Sequence, residues 1–315
     1  MSAVGRPRPV VVEARAKVNL GLAVGPRRGD GFHELATFFQ SVSLADTLVV
    51  TPRPRGFTLR VRFEPAAVRG APPAAGVAAV PAGDDNLVLR AARLLATRRA
   101  LRGGAAFSLV KRIPARAGLG GGSADAAAAL AGLAAAYGVR LSRGERVALA
   151  AELGSDVPFA ITGGTALGRG RGERLDRVRL ARPFRMVIAV PEWGVDTARA
   201  FRALDRIRKH LTQWGANLRS AQILGRTGLL AHRALRLGNT FETALGRRRG
   251  TFDRLKRRLE DAGATDVHLT GSGSAVVGLL PDGHAGAEVV RRFQGTEALY
   301  VVRSRGHGLK LIGRS

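Results

Sequence analysis

A glycine-rich segment between a predicted strand and a predicted helix constrains the fold of this chain more than any other feature. The apolar run 106–113 predicts a strand, and glycines occupy four of the five positions 118–122. The Ala-rich run that follows predicts a helix with Ser123 as its N-cap and Gly138 just past its end. Bare glycine amides and the positive end of a helix dipole can together hold phosphate oxygens.

The spacing of these glycines differs from the two commonest phosphate-binding loops. No lysine precedes Ser123, as a P-loop requires, and the order Gly-x-Gly-x-x-Gly is absent. On the residues alone two interpretations stay open. The segment is either a phosphate cradle or a turn that lets a helix pack closely on a sheet.

Composition narrows the class of protein. The length of 315 residues suggests two domains, and no run is long and apolar enough to span a bilayer. Residues 1–9 lack the apolar core of a secretory signal. The absence of cysteine rules out disulfides and Cys-bound metal and fits a cytoplasmic location, while the histidines show no metal-ligand spacing, so a zinc site is not expected.

The net charge of +27 raises nucleic acid as a partner. The basic residues are scattered, however, and aromatic residues make up only 5% of the chain, so a nucleic-acid partner is not favoured. Only five of the 51 basic residues are lysines. Lys17 and Lys111 are two of them, and a lysine offers a compact charge that can approach a reacting oxygen.

Two polar side chains on the first strand have two open interpretations, since they either contact a ligand or lie on a solvated face. Apolar residues alternate from 10 to 24, which places Lys17 and Asn19 on the same strand face. His33 ends the turn-rich loop 25–35 and on its own is more often a loop histidine than a ligand-binding one. All three stay ambiguous on the residues alone.

Capping residues delimit the next helices. Asn86 is predicted to cap a helix over 86–95, and Ser142 with Glu145 has capping-box spacing. Asp156 stands in a loop just before Pro158 and is either a helix cap or a catalytic base. Residue statistics favour the cap.

The remaining segments predict an α+β chain with two domains, 1–177 and 178–315. Residues 64–85, rich in Pro, Ala and Gly, predict a surface excursion. The predicted strands are 46–51, 57–63, 184–191, 266–270, 275–280 and 299–303, together with 162–175, which contains a Gly-rich turn. The predicted helices of the second half are 197–210, 217–237, 241–245, 251–262 and 288–293.

Three separated segments resemble the kinases named for galactose, homoserine, mevalonate and phosphomevalonate, the GHMP kinases. Residues 113–123 are similar to the phosphate loop of that superfamily, and residues 269–274 to its third motif. Residues 14–20 together with 30–35 resemble the branch that phosphorylates the 2-hydroxyl of cytidyl diphosphate methylerythritol. The resemblance covers about residues 10–305.

The resemblance implies a fold, a reaction and a set of site residues. It implies an N-terminal domain like ribosomal protein S5 domain 2, a C-terminal ferredoxin-like domain, and ATP with Mg²⁺ and the alcohol between them. Asp156 matches the catalytic base and Lys17 the cation beside the transferred hydroxyl. The positions that match the ATP site are Asn86, Lys111, Pro114, Ala117, Gly118, Leu119, Gly120, Gly121, Gly122 and Ser123.

For the cytidyl end, the resemblance implies hydrogen bonds to cytosine from Asn19 and His33 and stacking by Phe32 and Phe201. Thr197 and Phe39 are expected near the substrate. Phe32 stands where the family usually has tyrosine. Residues 239–242 read Asn-Thr-Phe-Glu where the family usually has Asn-Asp-x-Glu, so Thr240 stands in place of the aspartate.

Two other functions stay open at this stage. One is another small-molecule kinase of the superfamily, acting on homoserine or mevalonate. The other is a basic RNA-binding protein built on the S5-like half. The expected partners are the small-molecule substrate and ATP, without a membrane, and the expected assembly is a monomer or homodimer.

Overall fold

The computed structural model describes residues 8–70, 80–81, 83–180, 182–207, 238–281 and 286–314. The predicted helix 217–237 lies outside these residues, as do positions 71–79 and 82 of the predicted excursion. None of the helices in the described ranges combines the length and the apolar character that crossing a lipid bilayer requires.

The structure is built from strands and helices in two sheet-based layers. The strands are β1 (Val10–Arg27), β2 (His33–Arg53), β3 (Phe57–Phe63), β4 (Gly104–Lys111), β5 (Thr165–Gly170), β6 (Arg174–Arg177), β7 (Arg185–Val190), β8 (Thr265–Leu269), β9 (Val276–Leu280), β10 (Ala298–Arg305) and β11 (Leu309–Arg314). The helices are α1 (Leu87–Arg99), α2 (Gly121–Ala136), α3 (Arg143–Leu153), α4 (Val157–Thr162), α5 (Thr197–Asp205), α6 (Arg249–Asp261) and α7 (Gly286–Arg292), with short 3-10 helices at Thr240–Ala244 and Gly246–Arg248.

The long strand β2 organises the first sheet. It pairs antiparallel with β1 along most of its length, with β4 through residues 47–53 and with β5 through residues 35–40. β3 pairs with β4 in parallel, and β11 pairs with the outer edge of β1. The final strand therefore returns to the first sheet.

Helix α2 fills the core of the first layer. Its alanines from Ala126 to Ala129 are all buried, and Gly132 packs where a Cβ would come within 2.7 Å of Val50. A helix that is apolar on all sides has to be surrounded by protein. The Ala-rich composition thus reflects close packing of α2 against the β1–β2 pair.

A second antiparallel sheet, in the order β10-β7-β9-β8, forms the other layer. Met186 and Ile188 of β7 join the first hydrophobic core, whereas Val187 and Ala189 join a second core with α6 and α7. Because successive side chains point to opposite faces, a strand covered on both sides reads as a continuous apolar run. β10 links the sheets through Ser304 and Arg305, which pair with β2.

The architecture is the α+β type predicted from the sequence, with local differences. The predicted strand with a Gly-rich turn over 162–175 corresponds to the β5–β6 hairpin, but its limits differ, because α4 still includes Thr162 and β6 continues to Arg177. Residues 240–244 form a 3-10 helix, and β11 was not predicted. The α1 cap by Asn86 and the Ser142–Glu145 capping box are confirmed.

Candidate active site

A cavity of about 820 Å³ lies where the two layers meet. Its wall includes the glycine loop, the inner ends of β1 and β2, the start of α5 and the turn after β8. The cavity brings together every site residue predicted from the sequence, namely Lys17, Asn19, Phe32, His33, Phe39, Asn86, Lys111, Pro114, Ala117, Gly118, Leu119, Gly120, Gly121, Gly122, Ser123, Asp156, Thr197 and Phe201.

The glycine loop is shaped by contacts that leave no room for side chains. Gly118 has φ +81°, and a Cβ there would lie 2.4 Å from the Thr270 carbonyl oxygen. Gly120 has φ +69°, and a Cβ there would lie 2.9 Å from Cγ of Lys17. The loop is therefore pressed between the third glycine motif and β1, and the close approach requires glycine.

Helix α2 begins at this loop without a side-chain cap. Its N-cap is Gly120, so the prediction of Ser123 as N-cap is wrong. Gly120 has no side-chain oxygen to accept from the first-turn amides, which leaves those N–H groups without a side-chain partner at the positive end of the helix. Ser123 instead sits in the first turn and lines the cavity. This end of α2 fits an anion.

Lys17 and Asp156 form an ion pair in the wall of the cavity. Lys17 Nζ lies 3.5 Å from Asp156 Oδ2, with the lysine side chain 9% exposed and the aspartate side chain 32% exposed. Asp156 occupies the N-cap position of α4 but its side chain makes no capping hydrogen bond. The favoured interpretation of Asp156 as a cap is therefore wrong, and its carboxylate is directed to Lys17.

Asn19 connects Lys17 to the third glycine motif. Its Oδ1 accepts hydrogen bonds from Lys17 Nζ at 2.8 Å and from the Gly271 amide at 3.0 Å, and its Nδ2 donates to Thr37 Oγ1 at 2.7 Å. The amide of Asn19 donates to Thr270 Oγ1 at 2.8 Å. Asn19 is 2% exposed, so the solvated-face interpretation of this strand is wrong. Its side chain fixes the direction of the Lys17 ammonium.

Lys111 belongs to a buried cluster under the glycine loop. Its ammonium donates to Asp46 and, at 2.7 Å, to Asp125 Oδ2. Asp46 also accepts from the amides of Arg112 and Ile113, whereas Asp125 Oδ1 has no partner. The ammonium is therefore engaged by carboxylates of the protein, although Lys111 also contributes to the cavity wall.

The electrostatics of this cluster follow from its burial. Burial raises the pKa of Asp125 to about 8. Burial alone would lower the pKa of Lys111, but the adjacent Asp125 and Asp46 carboxylates raise it. One cation between two buried carboxylates leaves one negative charge in excess, so a proton is retained. Asp125 accepts fewer hydrogen bonds than Asp46, which fits the raised pKa of Asp125.

Aromatic rings gather at the opposite end of the cavity. The His33 ring stacks on Phe201 with centroids 4.9 Å apart, and His33 Nε2 lies 2.7 Å from Asp205 Oδ1. Phe201 also meets Phe241 edge to face. Phe32 is 51% exposed. Both predicted stacking rings, Phe32 and Phe201, line the cavity, where a planar ligand could contact them.

Phe39 and Thr197 occupy the wall between these two ends. Phe39 is 2% exposed, stacks on Phe159 and supports the Lys17 ammonium 5.5 Å from its ring centre. Thr197 starts α5, and its hydroxyl lies 2.9 Å from Ser272 Oγ in the third glycine motif. Asn86 is engaged as the α1 cap and by the Pro81 carbonyl.

The segment 239–242 ties the third glycine motif to the first layer. Asn239 Nδ2 donates to the carbonyls of Leu269 and Gly271, both at 2.8 Å, and Glu242 accepts from the Leu269 amide. Thr240 accepts from the Val24 amide at 3.1 Å. The threonine at this departure from the usual pattern therefore retains a backbone contact through its hydroxyl.

Sequence reasoning assigned no individual role to several residues that line the cavity or contact residues of its wall. They are Asp46, Asp125, Arg171, Asp205 and Thr270. Asp46 and Asp205 lie in ordinary strand and helix patterns that carry no signal. The sequence does carry a signal for Asp125, because an acid in an otherwise apolar helix needs a buried cation as its partner.

Comparison with known proteins places these features in a family. Residues 86–164 match the model of the GHMP kinases N terminal domain, and residues 218–297 match that of the GHMP kinases C terminal. A 4-diphosphocytidyl-2-C-methyl-D-erythritol kinase of Pelotomaculum thermopropionicum is 39% identical over 289 residues, covering 92% of this chain and 95% of the relative. The kinase of the same name from Rhodococcus jostii is 40% identical, covering 94% and 92%.

Solved structures give the same result. A crystal structure of 4-(cytidine 5'-diphospho)-2C-methyl-D-erythritol kinase superposes with a TM-score of 0.71 at 33% identity, covering 94% of this chain and 99% of that one. A homoserine kinase from Cytophaga hutchinsonii superposes with a TM-score of 0.74 at 19% identity, covering 97% and 98%. The second likeness shows the fold alone. The predicted two-domain fold class is confirmed.

Proposed function

Since the chain belongs to the GHMP kinases and, within them, to the 4-diphosphocytidyl-2-C-methyl-D-erythritol kinases, we propose that it transfers the γ-phosphate of ATP to the 2-hydroxyl of 4-diphosphocytidyl-2-C-methyl-D-erythritol. The chain is an ATP-dependent kinase of the non-mevalonate isoprenoid pathway. The observation that carries the proposed mechanism is the Lys17–Asp156 pair facing the cavity that the glycine loop also lines.

In this mechanism Asp156 is the general base. The acceptor is a tertiary alcohol and a weak nucleophile, so a carboxylate within hydrogen-bond reach takes its proton as the oxygen–phosphorus bond forms. The bond between the β,γ-bridging oxygen and the γ-phosphorus breaks, and ADP leaves. The partly exposed Asp156 carboxylate, not used as a helix cap, supports this role.

Lys17 orients the base and stabilises the transferring group. Its ammonium is held by Asn19 at 2.8 Å and lies 3.5 Å from Asp156. A fixed positive charge placed before the reaction offsets the charge that develops on the phosphoryl oxygens, without reorganisation. We propose that the hydrogen bonds of Asn19 serve to position Lys17, in preference to the contact with cytosine that was predicted from the sequence.

The glycine loop and the start of α2 bind the triphosphate. The first-turn amides lack a side-chain cap, which suits them to phosphate oxygens. Mg²⁺ in such kinases neutralises charge on the β- and γ-phosphates. The Ser123 hydroxyl lines the cavity and would be a suitable oxygen donor for Mg²⁺, which usually takes one or two protein ligands besides phosphates.

The cytidyl end binds among the aromatic rings. His33 supplies a ring nitrogen, and the rings of Phe201 and Phe32 in the cavity wall suit contact with a planar base. The loss of the tyrosine hydroxyl at Phe32 leaves the stacking surface in place. The cytoplasmic location, the division at residue 177 and the monomeric or dimeric state remain predictions.

A steady-state assay of ADP release tests the proposal. We expect turnover of the cytidyl alcohol with kcat/KM at least about 100-fold above the values for homoserine and mevalonate, because a buried site rejects acceptors that leave its polar groups unpaired. Phosphorus NMR of the product should show one new phosphomonoester. Turnover of mevalonate or homoserine without turnover of the cytidyl alcohol would assign the chain to another substrate.

A further inference from the structure

Two arginines of the cavity wall, Arg116 and Arg171, have no role in the mechanism above, and Arg171 is the one beside the aromatic end. Arg171 begins the turn between β5 and β6, and its side chain lines the cavity. Its guanidinium carbon lies 4.7 Å from the centre of the Phe32 ring. Within the described part of the chain the guanidinium forms no ion pair with a carboxylate. Asp30, whose charge Arg171 also feels, is paired with Arg28 at 3.0 Å.

The acids around this turn hold its backbone. The Gly170 amide donates to Glu34 Oε1 at 3.1 Å, and the Arg171 amide donates to Glu173 Oε2 at 2.6 Å. These two hydrogen bonds hold the turn in place, and they do not use the Arg171 guanidinium, which can therefore pair with a ligand. A contact with an aromatic face steadies a guanidinium without using a hydrogen-bond acceptor.

The turn lies between the two ends of the cavity. On one side Arg171 contacts Phe32, next to His33. On the other side Gly172 packs on Phe39, since a Cβ there would lie 3.4 Å from its ring, and Phe39 supports the Lys17 ammonium. A ligand that places a base near Phe32 and a hydroxyl near Lys17 therefore has its middle portion alongside Arg171.

We propose that Arg171 binds the diphosphate of the acceptor and makes the site selective for alcohols attached to a nucleoside diphosphate. The inference rests on the proposed function, in which a diphosphate joins the nucleoside to the reacting alcohol. Lys17 and Lys111 are engaged by carboxylates of the protein. Arg171 is the cavity cation next to the aromatic end that keeps its donors, and the planar fork of arginine matches phosphate oxygens.

The test compares CDP and cytidine as competitive inhibitors of the wild type, Arg171→Gln and Arg171→Lys. In Arg171→Gln we expect the inhibition constant of CDP to rise about 10- to 100-fold, the usual effect of losing one charged hydrogen-bond pair. The inhibition constant of cytidine and the KM for ATP should stay within about 2-fold, since neither ligand uses the contact. For Arg171→Lys, the inhibition constant of CDP should lie between the values for the wild type and for Arg171→Gln.

Arg60→Gln is the matched control, because it removes the same charge from an exposed position on β3. It should leave both constants unchanged. An unchanged CDP constant in Arg171→Gln would overturn the inference, as would equal weakening of CDP and cytidine, which would mean that Arg171 only shapes Phe32. Failure of the wild type to use the cytidyl alcohol would instead refute the proposed function.

Discussion

The ammonium of Lys17 lies 3.5 Å from Oδ2 of Asp156, and the two side chains reach the cavity from β1 and from the loop before α4. The lysine is almost fully buried while the aspartate remains partly exposed. A buried cation needs a partner, and Asn19 and Asp156 supply it. The same arrangement leaves the carboxylate accessible to a ligand.

Replacement of Asp156 by asparagine should abolish most turnover. Asparagine preserves shape but cannot accept the proton, so kcat should fall about 10²- to 10⁴-fold with little change in the KM for ATP. The measurement is initial ADP release at saturating substrates. Asp261→Asn, an exposed acid on α6, should behave as the wild type. Near-normal turnover in Asp156→Asn would remove the base from the mechanism.

Replacement of Lys17 by methionine should lower kcat by about 10²-fold or more, because a fixed positive charge beside the transferring group is lost. Methionine keeps the length of the side chain and its packing on Gly120. The exposed Lys310→Met is the control. Single-turnover rates distinguish a slower chemical step from weaker binding, and an unaffected single-turnover rate would contradict the assigned role.

Asn19→Ala separates two roles for that residue. If Asn19 orients Lys17, kcat should fall about 10-fold or more while the inhibition constant of CDP changes little, since a misplaced charge weakens the transition state. Thr37→Val, which removes the hydroxyl beyond Asn19, should have a smaller effect in the same direction. A large loss of CDP affinity with normal kcat would support the hydrogen bond to cytosine instead.

His33→Ala should weaken the cytidyl substrate far more than ATP. Loss of a hydrogen bond and of the ring stacked on Phe201 should raise the inhibition constants of cytidine and CDP together, by about 10-fold or more. This shared loss differs from the CDP-specific loss expected for Arg171→Gln. His307→Ala, at an exposed position, is the control. Equal effects on ATP and cytidine would contradict the assignment.

The buried cluster under the glycine loop predicts a pH dependence of stability. The pKa of Asp125, about 8 in the folded protein, is above its unfolded value near 3.9. A raised pKa favours the protonated form in the fold. The contribution is therefore fully present below about pH 4 and is lost as pH rises through 8.

Asp125→Asn mimics the protonated acid at every pH and removes this dependence. Urea unfolding between pH 5 and 8 should show the wild type losing stability relative to the variant as pH rises, by at most about 1.4 kcal/mol per pH unit. Asp261→Asn should keep the wild-type slope. Parallel profiles for the wild type and Asp125→Asn would show that the cluster holds no extra proton.

Local patterns identified much of the framework. The glycine spacing at 118–122, the apolar run of β7 and the Ser142–Glu145 pair each predicted its element, because helix caps, tight turns and buried strands depend on neighbouring residues. The shift of the α2 cap from Ser123 to Gly120 shows the limit of such patterns. Gly120, whose backbone is in the left-handed conformation, caps the helix about one turn before the predicted cap at Ser123.

By itself the sequence determined the strand–loop–helix unit, the α+β class and a set of polar residues without fixed roles, which its family resemblance then ordered. Only the tertiary structure decided that Asp156 faces Lys17, that Asn19 accepts hydrogen bonds from both Lys17 and Gly271, and that Arg171 stands between the two ends of the cavity. Secondary structure reflects interactions within a few residues. A site joins side chains from distant strands and loops, and their distances are set by the packing of two layers around a shared cavity.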